Sequence, residues 1–151
     1  MQMKKVVIPN SSLCLEIAQL IAEGESVSLK PKGNSMLPFI RGEKDCVRLV
    51  KPDDIKLFDV VLACVAGGQY VLHRVVKING NELTLMGDGN LRGCEICSVD
   101  NVIALAIEVV GDTKQYKCRD PKHIWKVKLW QRLQPIRRYL LVVYRLICKI
   151  S

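Results

Sequence analysis

The sequence predicts a mainly β chain, with one short helix before the sheet and two basic amphipathic helices after it. Three observations carry this expectation. Between residues 45 and 110, short runs rich in Val, Ile, Leu and Tyr alternate with turn residues, as strands of an antiparallel meander do. Apolar residues at helical spacing mark residues 13–21. From residue 121 onward, basic residues are mixed with Trp, Tyr and Leu, and no acid occurs. The chain has 151 residues, which suits one principal domain with a sizeable core. Aromatics make up only 5% of it, so the core must be largely aliphatic.

In chain order, Asn10-Ser11-Ser12 offers N-cap oxygens, and Leu13, Ile17, Leu20 and Ile21 fall on one helical face before Gly24 stops the helix. Strands are expected over 45–50, 60–65, 69–78, 82–86 and 102–110. Turn signals at Pro52-Asp53-Asp54, Gly67-Gly68, Asn79-Gly80 and Gly87 to Asn90 separate them. Asp120-Pro121 is an N-cap followed by Pro at the first helical position, and Pro135 divides the tail into helices over 122–134 and 136–150. Three segments result: a helix and lead-in at 1–27, a β domain at 28–118, and a basic helical tail at 119–151.

Gly33-Asn34-Ser35-Met36-Leu37-Pro38 holds a serine in a turn-rich, exposed context and makes Ser35 a candidate nucleophile. A serine hydroxyl needs a base to take its proton and donors to hold the oxyanion. Tyr70-Val71-Leu72-His73-Arg74-Val75-Val76 supplies an imidazole on a strand, and alternation puts His73 on the face of Val71 and Val75. Such an apolar setting favours a neutral imidazole, the state that a general base requires. A core histidine with satisfied hydrogen bonds is the plainer alternative. Asp88, in the glycine-flanked turn Gly87-Asp88-Gly89-Asn90, could orient His73, or could serve only to make the turn.

Together these segments resemble the signal peptidase family, specifically the archaeal and endoplasmic-reticulum branch that pairs serine with histidine. The resemblance runs over about residues 28 to 110. It rests on the Gly33 to Pro38 box, the strand Ile55-Lys56-Leu57-Phe58-Asp59-Val60-Val61, the box Leu72-His73-Arg74-Val75-Val76, and the strand pair from Lys77 to Asn90. It implies a coiled antiparallel sheet or partly open barrel, and peptide-bond cleavage by acyl transfer with Ser35 as nucleophile, His73 as general base and no cofactor. Gly93 and Cys94 stand where that branch carries its later acids, so the third member is Asp88, Glu95 or no acid. The oxyanion and substrate would meet Gly33, Asn34, Met36 and Pro38. Phe58 replaces a common glycine at a turn. The sheet also resembles that of the self-cleaving repressors of the DNA-damage response. Those use a lysine base and a helix-turn-helix, for which about thirty residues before the box leave no room.

The remaining features bound the setting. Seven cysteines and no secretory leader point to a reducing, cytoplasmic compartment, and the single Cys94-Glu95-Ile96-Cys97 pair lacks partners for zinc. Residues 1–120 contain equal numbers of acidic and basic residues, so the whole net charge of +8 lies in the tail. Its composition fits an interfacial helix on an anionic membrane surface at the inner face of the bilayer, with Trp125, Trp130, Arg137 and Arg138 in contact. Packing of the tail on the sheet, or binding of nucleic acid phosphates, would use the same residues. His123 is expected on a helix surface. The functional expectation is a serine endopeptidase acting on a peptide or precursor protein. An inactive peptide-binding module on the same sheet, or a membrane-surface adaptor, is the alternative.

Overall fold

A single antiparallel sheet, curled into a half-barrel, organises the chain. The computed structural model describes residues 11–150 and the side chains of 12–148, so the expected cap at Asn10 lies outside the described residues. Helix α1 (Ser11–Ala22) precedes β1 (Val27–Leu29), β2 (Cys46–Val50), β3 (Val60–Val65), β4 (Gln69–Asn79), β5 (Glu82–Met86), β6 (Glu95–Ser98), β7 (Val102–Val110) and β8 (Gln115–Lys117). Helices α2 (Pro121–Arg132) and α3 (Arg137–Ile150) follow, joined by a short 3-10 turn at Gln134–Ile136. The strand order is β1-β2-β7-β3-β4-β5-β6, with β8 paired to the far end of β7.

All five expected strands are present, and three more short ones, β1, β6 and β8, carry too few residues to display an alternating pattern. Gly67 and Gly68 both adopt positive φ in the β3–β4 connection, a conformation that L side chains rarely take. Between β4 and β5 the register pairs Asn79 with Glu82, which leaves Gly80 and Asn81 as a two-residue hairpin loop with Gly80 at positive φ.

Strand β3 reads Val-Val-Leu-Ala-Cys-Val, apolar without alternation, because both of its faces are covered. Val60 and Leu62 face a core that holds Ile17, Ile21, Leu29, Val47, Leu49 and Ala104. Val61, Ala63 and Val65 face a second core with Val75, Leu83, Leu85 and Cys97, where β5 and β6 curl over the sheet. Register shifts between Arg48 and Leu49, Leu62 and Ala63, and Val75 and Lys77 mark the irregular points of this curl.

Helix α1 buries Cys14, Ile17 and Ile21, while Leu20, expected on that face, is 38% exposed. The helix ends in a Schellman motif. Gly24 at positive φ donates to Ile21 O, and the Glu25 N–H donates to Leu20 O. In the tail, the Asp120 side chain accepts from the Lys122 N–H at 3.0 Å and Pro121 occupies the first turn, as the sequence implies. No helix among the described residues is long and apolar enough to cross a membrane.

Candidate active site

Ser35 sits at the start of a tight turn, half-buried, where the Ile40 N–H reaches back to Met36 O at 3.0 Å. His73 lies in β4, in the ladder with β3 opposite Val61, and is buried. The two line the same cleft of about 520 Å³, walled on one side by Pro31, Gly33, Ser35 and Met36 and on the other by residues 68–73. His73 shares its sheet face with Val71 and Val75, which belong to the second core.

The carboxylate at His73 is Glu95. Its Oε1 lies 2.5 Å from His73 Nδ1. The hairpin from β5 to β6 makes this contact possible, since the pairing of Leu85 with Glu95 returns the chain toward β4. An imidazole whose Nδ1–H donates to a carboxylate is held as the tautomer with its lone pair on Nε2, the form that accepts a proton.

Asp88 does not orient His73. It is fully buried against the equally buried Arg74, accepting from Nε at 2.8 Å and from Nη2 at 2.7 Å. Arg74 Nη1 also donates to Phe58 O at 2.8 Å. That carbonyl belongs to a residue held at positive φ. Register explains the reassignment. Arg74 pairs with Met86, so Asp88, two residues beyond Met86, continues on the Arg74 side of the sheet and not on the His73 side.

The turn around Asp88 instead supports the nucleophile loop. The Gly89 N–H donates to Ser35 O at 2.8 Å. A Cβ on Gly87 would lie 2.3 Å from Ser35 O, and one on Gly89 would lie 2.5 Å from Asn34 O, so only glycine permits the two segments to approach this closely. The far end of the same loop is tied to β8 and the preceding turn, where Lys114 Nζ and the Tyr116 hydroxyl donate to Phe39 O at 2.7 and 2.8 Å. Arg41 and Lys114 converge on the fully buried Asp45. Burial pushes the Asp45 carboxyl up, but these donors outweigh it and hold the group below its usual range. The sequence marks none of Arg74, Lys114 and Tyr116 as part of this assembly.

The expected substrate contacts divide. Gly33 and Met36 line the cleft with Ser35 and His73. Asn34 faces a separate groove beside α3, and Pro38 a third depression near His123. The expected membrane contacts divide as well. Trp125 and Arg138 are exposed, whereas Trp130 and Arg137 are buried. Trp130 Nε1 donates to Asp88 O at 2.8 Å, and Arg137 Nη1 donates to Asn90 O at 3.0 Å with its guanidinium over the Trp130 ring. The tail therefore packs on the turn that supports Ser35.

His123 is buried too, stacked on Tyr116 at 4.2 Å and edge-on to Phe39 at 5.2 Å. Burial, with Arg74, Lys126 and Lys114 adding to it, pushes its pKa down to about 4. The surface position expected for it is thus a core position. Compared with protein-family models and with curated proteins, the chain gives no match.

Proposed function

We propose that this chain is a serine endopeptidase of the signal-peptidase-like type, cleaving a peptide or leader segment by acyl transfer. The observation that carries the reading is the cleft shared by Ser35 and His73, with Glu95 on the Nδ1 side of the imidazole. In this scheme His73 Nε2 takes the Ser35 hydroxyl proton as Oγ attacks the scissile carbonyl. The Ser35 backbone N–H holds the oxyanion. Collapse breaks the C–N bond, and His73 returns the proton to the leaving amine. Water then deacylates the serine with His73 again as base, and Glu95 stabilises the transient imidazolium.

The sheet offers the substrate an edge. Residues 69–74 of β4 pair with β3 on one side, while pairing with β5 on the other begins only at Arg74. Residues 69–73 therefore have no strand partner on their second edge among the described residues, and that edge borders the cleft. An extended peptide added there would present its carbonyls along the wall opposite Ser35.

Mass spectrometry of a diverse peptide mixture incubated with the protein tests the reading. New termini are expected with the wild type, and rates about a thousandfold lower or less with Ser35→Ala and His73→Ala. Cleavage that survives Ser35→Ala would remove the nucleophile assignment. A folded wild type that binds peptides without cutting them would assign the same cleft to a binding module.

A further inference from the structure

The outer face of α3 is apolar and uncovered. Tyr139, Val142, Val143, Leu146 and Ile147 are 67, 52, 52, 56 and 61% exposed. They fall at i, i+3, i+4, i+7 and i+8, which is a single helical face. The helix cannot roll to hide them, because its other side already packs Leu141, Leu140 and Tyr144 against Leu37 and Trp130. Arg138 and Arg145, seven residues apart and both exposed, run along one flank of the apolar face. A groove of about 400 Å³ opens on that flank between α3 and the loop that carries Ser35. Leu37, Val142 and Leu146 give it apolar walls, Lys44 and Arg145 bring cations, and Asn34, the neighbour of Ser35, also lines it.

Charge selects the occupant. Residues 121–151 carry eight basic side chains and no acid, so a second copy docked on this face would set like charges against each other. Nucleic acid would match the cations but leave five apolar side chains facing phosphates. An anionic bilayer accommodates both, with apolar side chains at the acyl boundary and cations among the headgroup phosphates. We infer that α3 lies flat in the headgroup region of an anionic membrane, seating the Ser35 loop against the lipid. This surface differs from the one that tail composition suggests, since it excludes Trp130 and Arg137. The binding itself does not depend on the peptidase reading.

The test is co-sedimentation of the full-length protein with phosphatidylcholine vesicles, either pure or containing about one-third phosphatidylglycerol. Partitioning should be at least about 25-fold stronger on the anionic vesicles, at about fivefold for each of two basic residues, and should weaken in high salt. Val143→Glu with Ile147→Glu, both outward-facing, should lower it at least tenfold with the melting temperature unchanged. If that pair destabilises the fold, Arg138→Gln with Arg145→Gln decides instead: binding should fall on anionic vesicles only, while Arg48→Gln on β2 should leave it intact. Equal binding to both vesicle types, or no sedimentation with either, overturns the proposal. So does a concentration-dependent dimer in sedimentation equilibrium that Val143→Glu with Ile147→Glu dissolves, which would assign the face to a second copy. Peptide cleavage without lipid is measured alongside, so that loss of membrane binding with cleavage retained separates this inference from the proposed chemistry.

Discussion

His73 and Arg74 are neighbours in sequence, yet each takes a carboxylate on opposite faces of one strand, Glu95 for the first and Asp88 for the second. The two acids therefore have different work, and one conservative pair of substitutions separates them. Glu95→Gln should leave the melting temperature close to wild type, since Glu95 is part-exposed, and should lower kcat for peptide cleavage by one to several orders of magnitude. Asp88→Asn leaves a fully buried Arg74 guanidinium without its counter-charge and should cost about 3–5 kcal/mol of stability, measured by denaturant unfolding. Equal thermal losses in both variants would contradict this division. That Ser35 and His73 are candidates was legible in the sequence, because each sits in a short motif with its own local reason to be there. Which carboxylate lies beside His73 was not, because the choice between Asp88 and Glu95 depends on which side of the sheet a distant hairpin returns to. The registers of β4 with β5 and of β5 with β6 give it together, through the pairing of Arg74 with Met86 and of Leu85 with Glu95.

At the scale of elements, α2 is the piece whose role changes most between sequence and structure. Its residues 123, 127 and 130 follow a core-facing spacing, and His123, Val127 and Trp130 are its buried residues. The surrounding lysines make composition point to a surface instead, and composition does not say which face of a helix is covered. The buried His123 gives this docking a measurable pH signature. Its folded-state pKa of about 4 lies below the ordinary 6.5, so between those values the unfolded chain binds more protons than the folded one. Its contribution is complete above pH 6.5 and is lost as pH falls toward 4, with a total of about 3 kcal/mol. His123→Phe keeps an aromatic ring between Tyr116 and Phe39 and should flatten the stability profile over that interval, with little change at pH 8. A slope unchanged by the substitution would place the proton uptake elsewhere.

For the molecule as a whole, the sheet was readable because β2, β3, β4, β5 and β7 are long enough to display their pattern and are bounded by Gly, Pro and Asp turns. The curl was not readable, since it depends on register shifts that leave no mark in composition. One consequence of the double burial of β3 can be measured by hydrogen exchange. Its amides lie between β4 and β7 and beneath two cores, so they should exchange only through global opening, and the β4 amides paired with them should follow closely. The 33–40 loop buries Met36, Leu37 and Ile40 and makes a few hydrogen bonds of its own, but it lies outside the sheet and has no ladder partner, and should exchange faster than β3. Uniform exchange rates across both regions would contradict this. The two members of the proposed pair thus belong to different mechanical regimes. The imidazole is mounted on a strand hydrogen-bonded to β3 and the hydroxyl on a loop outside the sheet. Small displacements on binding would then fall first on the serine loop, with the histidine strand as the reference against which it is brought into line.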